Sequence, residues 1–179
     1  HIVHGDPRAR KRPLLALALT AIALGCGSGL VAVQAANVAA TPTPTFAGPI
    51  TSGRITSHFG VVRRNISDVS HNGVDLAAAR GTTVHAPAAG LVQVATDNYL
   101  EQPRYGTVIV LDHGDGWQTV YAHLDGVDVS EGQRVAPGQR IGSVGSTGVA
   151  TGPHVHVEVL HDGKRMDPAG VIEPLVAAR

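Results

Sequence analysis

From residue 50 onward the apolar positions of this 179-residue chain recur at every second residue in short runs, and Gly, Pro, Asn and Asp separate the runs. Side chains alternate between the two faces of a strand, so this spacing predicts β-strands joined by tight turns. No helical periodicity competes with it. Gly90 to Ala95 and Thr107 to Leu111 read as strands, and the second is apolar on both faces, which predicts a central position. In His154-Val155-His156-Val157-Glu158-Val159 the valines take one face and His154, His156 and Glu158 the other. Val74-Asp75-Leu76 turns Asp75 away from its apolar neighbours, and in Gln118 to Leu124 the alternation sets His123 on the face of Thr119 and Tyr121. The fold class expected is all-β, over residues 50–170, with 171–179 a C-terminal tail.

Residues 1–46 break this pattern. Arg8, Arg10, Lys11 and Arg12 precede a stretch, Leu14 to Ala40, without one charged side chain. A basic region before an apolar one predicts an export helix over 1–40, cleaved as a signal peptide after Ala35 or Ala40 or retained as a signal anchor. Lipidation at Cys26 is a third route. Each delivers the rest outside the cytoplasm, so the expected location is extracytoplasmic, with membrane contact only through this segment. Thr41-Pro-Thr-Pro-Thr45 cannot enter a central strand, and 41–49 reads as a linker.

Composition narrows the chemistry. Lys plus Arg number 14, as do Asp plus Glu, and this balance removes the broad electrostatic case for a nucleic-acid partner. One Cys permits neither an internal disulfide nor a thiolate cluster, so a metal would need the carboxylates and the 10 histidines. The Gly-rich stretch 142–152 lacks the Gly-Lys-Ser/Thr of a phosphate loop. Residues 132–142 resemble half of a biotinyl or lipoyl carrier, but the two lysines, Lys11 and Lys164, lie elsewhere.

Three segments carry candidate chemistry: His71-Asn-Gly-Val-Asp75, Tyr121-Ala-His123-Leu124 and His154-Val-His156. Taken singly, the first reads better as a turn with a solvated His and the third as solvated strand histidines, while the second reads as readily as a surface strand residue as a functional one. Together, two imidazoles and a carboxylate fill three corners of a tetrahedral zinc and leave the fourth for water, the layout of an open site. Two histidines then remain as proton acceptors or donors near neutral pH. His113, in Asp112-His-Gly-Asp-Gly116, reads as structural, and Glu158 as a solvated strand carboxylate.

These segments, with Arg54-Ile-Thr-Ser-His-Phe-Gly60, Ala86-Pro-Ala-Ala-Gly90 and Gly145-Ser-Thr-Gly148, resemble the LytM/lysostaphin-type zinc endopeptidases of bacterial peptidoglycan, from Gly53 to Asp167. The resemblance implies a compact antiparallel β-sheet domain, barrel-sandwich-hybrid-like, with a groove above one zinc. It assigns the metal to His71, Asp75 and His156 and makes His154 and His123 the catalytic histidines. Stem peptides or cross-bridges of peptidoglycan would be the substrate of a monomeric hydrolase. The alternative is a noncatalytic wall-binding or hydrolase-activating module of the same fold. Regulators of this type typically have lost metal ligands, and this chain keeps all of them.

Overall fold

Ten β-strands and three short 3-10 turns make up the regular structure of the described residues, 44–62 and 69–176, in the computed structural model. The export segment expected over 1–40 lies outside them. Among the described residues there is no α-helix, as the absence of helical periodicity predicts. The strands are β1 (Arg54–Ser57), β2 (Val74–Ala77), β3 (Thr83–His85), β4 (Gly90–Thr96), β5 (Thr107–Gly114), β6 (Trp117–Val127), β7 (Arg134–Val135), β8 (Arg140–Val144), β9 (His154–His161) and β10 (Lys164–Met166). They form one sheet in the order β1-β2-β9-β6-β5-β4-β7, with β10 on β9, and with β8 on β6 and β3 on β8. Every named pairing is antiparallel, so the expected all-β class is what forms.

Alternation along β9 decides what each face does. Val155, Val157 and Val159 are fully buried in the main core with Val74, Leu76, Tyr121 and Leu124. Each such valine taken out of water contributes about 1.5–3 kcal/mol. The opposite face carries His154, His156 and Glu158, and it is not simply open to water. Tyr105, at the end of the 97–106 connection, packs over it with Val108, Val110, Val120 and Ala122 in a second apolar cluster. β5 is central, between β6 and β4, in keeping with its two apolar faces.

Phe46, in the stretch read as linker, and Ile172 and Leu175, in the stretch read as tail, are buried in the main core. Parallel bridges join Phe46 to Ile172 and Ile50 to Val176. The packed unit therefore includes both flanks, because large apolar side chains there repay the order they require.

Candidate metal centre

Two strand registers and one turn bring the site together. Asp75 on β2 faces His156 on β9, and His156 faces Ala122 on β6, so the three side chains share one row on one face. His71 precedes β2 and is held by two backbone bonds, from its N–H to the Val61 carbonyl (3.0 Å) and from the Gly60 N–H to its own carbonyl (2.9 Å). Gly73, between them, lies so close to β9 that a Cβ would strike the Val157 carbonyl. That close approach lets the His71 ring fold back over Asp75.

The result is a triangle of donor atoms. His71 Nε2 lies 3.1 Å from Asp75 Oδ1 and 3.1 Å from His156 Nδ1, and His156 Nδ1 lies 2.8 Å from Asp75 Oδ1. All three residues are buried. A tetrahedral ion about 2.0–2.1 Å from N and O donors spreads them about 3.3 Å apart, so this triangle is of the right size for one ion. The outer atoms fix the inner ones. His71 Nδ1–H donates to the His58 carbonyl (2.9 Å), with Ser57 Oγ beside it at 3.2 Å, which leaves the Nε2 lone pair on the triangle. His156 Nε2–H donates to Glu158 Oε1 (3.2 Å), which leaves the Nδ1 lone pair there. Two imidazole lone pairs and a carboxylate oxygen converging on one point call for a cation.

Electrostatics agree with the geometry. Burial alone would raise the Asp75 carboxyl, but hydrogen bonds with His156 and His71 outweigh it and hold the group ionised, well below the usual range. Burial alone would lower His156, yet Asp75 and Glu158 on its two sides push it up. The site favours positive charge.

His154 and His123 stand beside the triangle. His154 Nδ1–H donates to the Gly152 carbonyl (2.8 Å), and its Nε2 lies 3.9 Å from Asp75 Oδ1. His123 Nδ1–H donates to the Thr147 carbonyl (2.9 Å), and the two rings are 4.6 Å apart at their centroids. Each of these bonds sets the tautomer in which the neutral ring carries its lone pair on Nε2. Burial first, and then the neighbouring His154, lower His123 to about 4, so its ring is neutral at pH 7.

His123 reaches this face by a route that strict alternation misses. Tyr121, expected beside it, points the other way and is fully buried in the core. At His123 the backbone turns left-handed, with φ of 62°, and the pairing of β6 with β5 slips by one residue between Tyr121 and Leu124. This bulge turns the side chain to the face of Ala122 and His156, and β6 then pairs with β8 from Leu124 onward. Left-handed backbone is costly for a residue with a Cβ, and such conformations concentrate at functional sites.

Glu158 also departs from its expectation. It is 2% exposed, not solvated, because the Tyr105 cluster covers it. Its carboxylate accepts from His156 Nε2–H, from the Tyr105 hydroxyl (3.0 Å) and from Arg165 Nε (2.9 Å). Tyr105 and Arg165 carried no signal in the sequence, whereas Glu158 did, by sharing the face of His156. His113 is structural as expected, bonded to the Ala89 carbonyl and to Thr119 Oγ1 at 2.8 Å each. Above the centre opens a groove of about 710 Å3, whose walls include β1 and the 149–153 loop.

Residues 69–168 match Peptidase family M23. Among curated proteins, the DD-carboxypeptidase/endopeptidase Mpg of Neisseria meningitidis is 38% identical over 128 residues, 70% of this chain and 29% of Mpg. The murein hydrolase activator NlpD of Escherichia coli is 35% identical over 128 residues, 72% of this chain and 31% of NlpD. The match thus spans about a third of the length of these relatives. Among solved structures, a zinc containing peptidase from Vibrio cholerae has a TM-score of 0.63 at 35% identity, covering 69% of this chain and 39% of that one. The catalytic domain of the antimicrobial peptidase lysostaphin from Staphylococcus simulans has a TM-score of 0.59 at 31% identity, covering 66% of this chain and 90% of that domain. The chain belongs to Peptidase family M23, as its lysostaphin-like segments led one to expect.

Proposed function

We propose that this protein is a zinc-dependent endopeptidase that hydrolyses peptide bonds of bacterial peptidoglycan outside the cytoplasm. The observation that carries the reading is the convergence of His71 Nε2, Asp75 Oδ1 and His156 Nδ1 beside the imidazoles of His154 and His123, each held through Nδ1 by a backbone carbonyl. His71, Asp75 and His156 would hold the zinc, which when bound polarises a carbonyl and lowers the pKa of a water towards about 7. His154 Nε2 takes the proton of the attacking water. His123, neutral and weakly basic, would not retain a proton, so the proton taken by His154 would pass, directly or by way of His123, to the departing amine. The Gly152 and Thr147 carbonyls orient both rings, so each offers the same nitrogen to the groove.

Mpg is named for endopeptidase activity and the Vibrio cholerae structure for its zinc, and both support this reading. The likeness to NlpD, named as an activator, favours a second one, a noncatalytic partner of another hydrolase. The presence of two imidazoles beside three cation ligands supports the hydrolase reading over the activator one. Purified protein incubated with peptidoglycan should release free amino groups, stop on chelation and resume with one equivalent of zinc. Tight binding to the sacculus without amine release would give the protein to the activator reading.

A further inference from the structure

The groove carries two cations that the hydrolytic centre does not use. Arg54 sits on β1, where it faces Ala77 of β2, and Ala77 in turn faces His154 of β9. Residues paired across antiparallel strands point to the same face, so Arg54 stands in the row of His154, about 10 Å away by strand spacing. Arg104 lies on the other flank, in the 3-10 turn Pro103–Tyr105 that leads into β5. Its guanidinium rests over the Tyr105 ring at 5.1 Å, and its carbonyl accepts from the Val149 N–H (3.0 Å), which ties the turn to the 149–153 wall. Both side chains are exposed and line the groove.

The carboxylates that share the groove are already engaged. Asp75 is bonded to His71 and His156, and Glu158 to His156, Tyr105 and Arg165. Among the described residues neither Arg54 nor Arg104 is within ion-pair distance of an acidic side chain, whereas Arg80, Arg140 and Arg165 each have one. In the sheet order β1-β2-β9-β6-β5 the two cations bracket the ligands on β2 and β9 and His123 on β6. A peptide lying across the strands passes one guanidinium before the centre and the other after it.

We propose that the groove selects peptides bearing a free carboxylate on each side of the cleaved amide, one met by Arg54 and one by Arg104. Neutral glycine bridges present nothing to either. This rests on the hydrolase reading and names its substrate class: directly cross-linked stem peptides with unamidated acidic residues. Guanidinium is suited to the task because it pairs with carboxylate through two parallel hydrogen bonds.

The test uses a defined cross-linked peptide and its amidated twin. Turnover is followed in the wild-type protein, and binding by titration calorimetry in His154→Ala, which retains both arginines. The acidic peptide should bind about tenfold tighter than the twin, with the preference weakened by salt. Adding Arg54→Ala or Arg104→Ala to the His154→Ala background should remove several-fold of that preference and leave the twin unaffected. Equal binding of the two peptides, or an equal loss for both in the arginine variants, overturns the proposal. Failure of the wild-type protein to cut either peptide overturns the hydrolase reading instead, while the binding preference still decides the role of the arginines.

Discussion

His113 and His156 lie two strands apart in one sheet, and both ring nitrogens of each are bonded, yet the two rings are asked for different things. His113 meets a carbonyl on one side, from Ala89, and a hydroxyl on the other, from Thr119. A neutral imidazole, with one N–H and one lone pair, satisfies both. His156 meets Asp75 on one side and Glu158 on the other, with the His71 lone pair beside Asp75. Every partner there is an acceptor, so a neutral ring leaves one side unmatched and the site requires an added positive charge. The shifts follow suit: burial lowers His113, whereas the two carboxylates overcome burial and raise His156. What marks a histidine as a candidate metal ligand here is acceptors on both sides of the ring, and not burial.

The comparison breaks most severely at Asp75. Asp75→Ala removes the shared oxygen of the triangle, and both zinc content after dialysis and amine release from peptidoglycan should fall to background. The fold should persist, because Val74 and Leu76 hold β2 in the core. Retained stoichiometric zinc would show that the triangle is not the ligand set.

A smaller loss is expected at Glu158. Glu158→Gln keeps an acceptor for His156 Nε2–H but removes the charge behind it, while Tyr105 and Arg165 lose only part of their partner. Zinc affinity, measured by competition with a chelator, should fall about 10–100-fold. Unchanged affinity would mean that Glu158 serves the packing beneath Tyr105 and not the ligand.

These two residues also show what a sequence discloses. Asp75, His154 and His156 were legible because alternation on an isolated strand needs no knowledge of its neighbours, and Val74, Leu76 and the β9 valines set the phase unambiguously. His71 needed one further inference, that Gly73 lets the turn fold back. His123 was legible as a residue but not in its orientation, because the bulge depends on β6 changing partner from β9 to β8. The surroundings of Glu158 depend on a connection more than fifty positions earlier in the chain, Tyr105, folding over its face. Local periodicity gives the face of a side chain, whereas only the packed fold says what covers it.

The finest test of the comparison is the acid limb of stability at His113. Burial holds its ring neutral in the folded protein against the smaller pull of the Ala89 carbonyl and Asp112, so its folded pKa lies below the unfolded value of about 6.5. Above that value neither state carries the proton and His113 adds no pH dependence. As pH falls through it, the unfolded chain takes up a proton that the folded ring refuses, and stability declines until the folded pKa is passed. His113→Gln offers an amide and a carbonyl to the same two partners and does not titrate. Between about pH 7.5 and pH 5 the wild-type Tm should therefore drop by a few degrees more than that of the variant. His123, lowered in the same direction, is present in both proteins and cancels from the difference. Parallel declines would mean that folded His113 accepts its proton as readily as the free side chain, and the contrast with His156 would then rest on hydrogen-bond geometry alone.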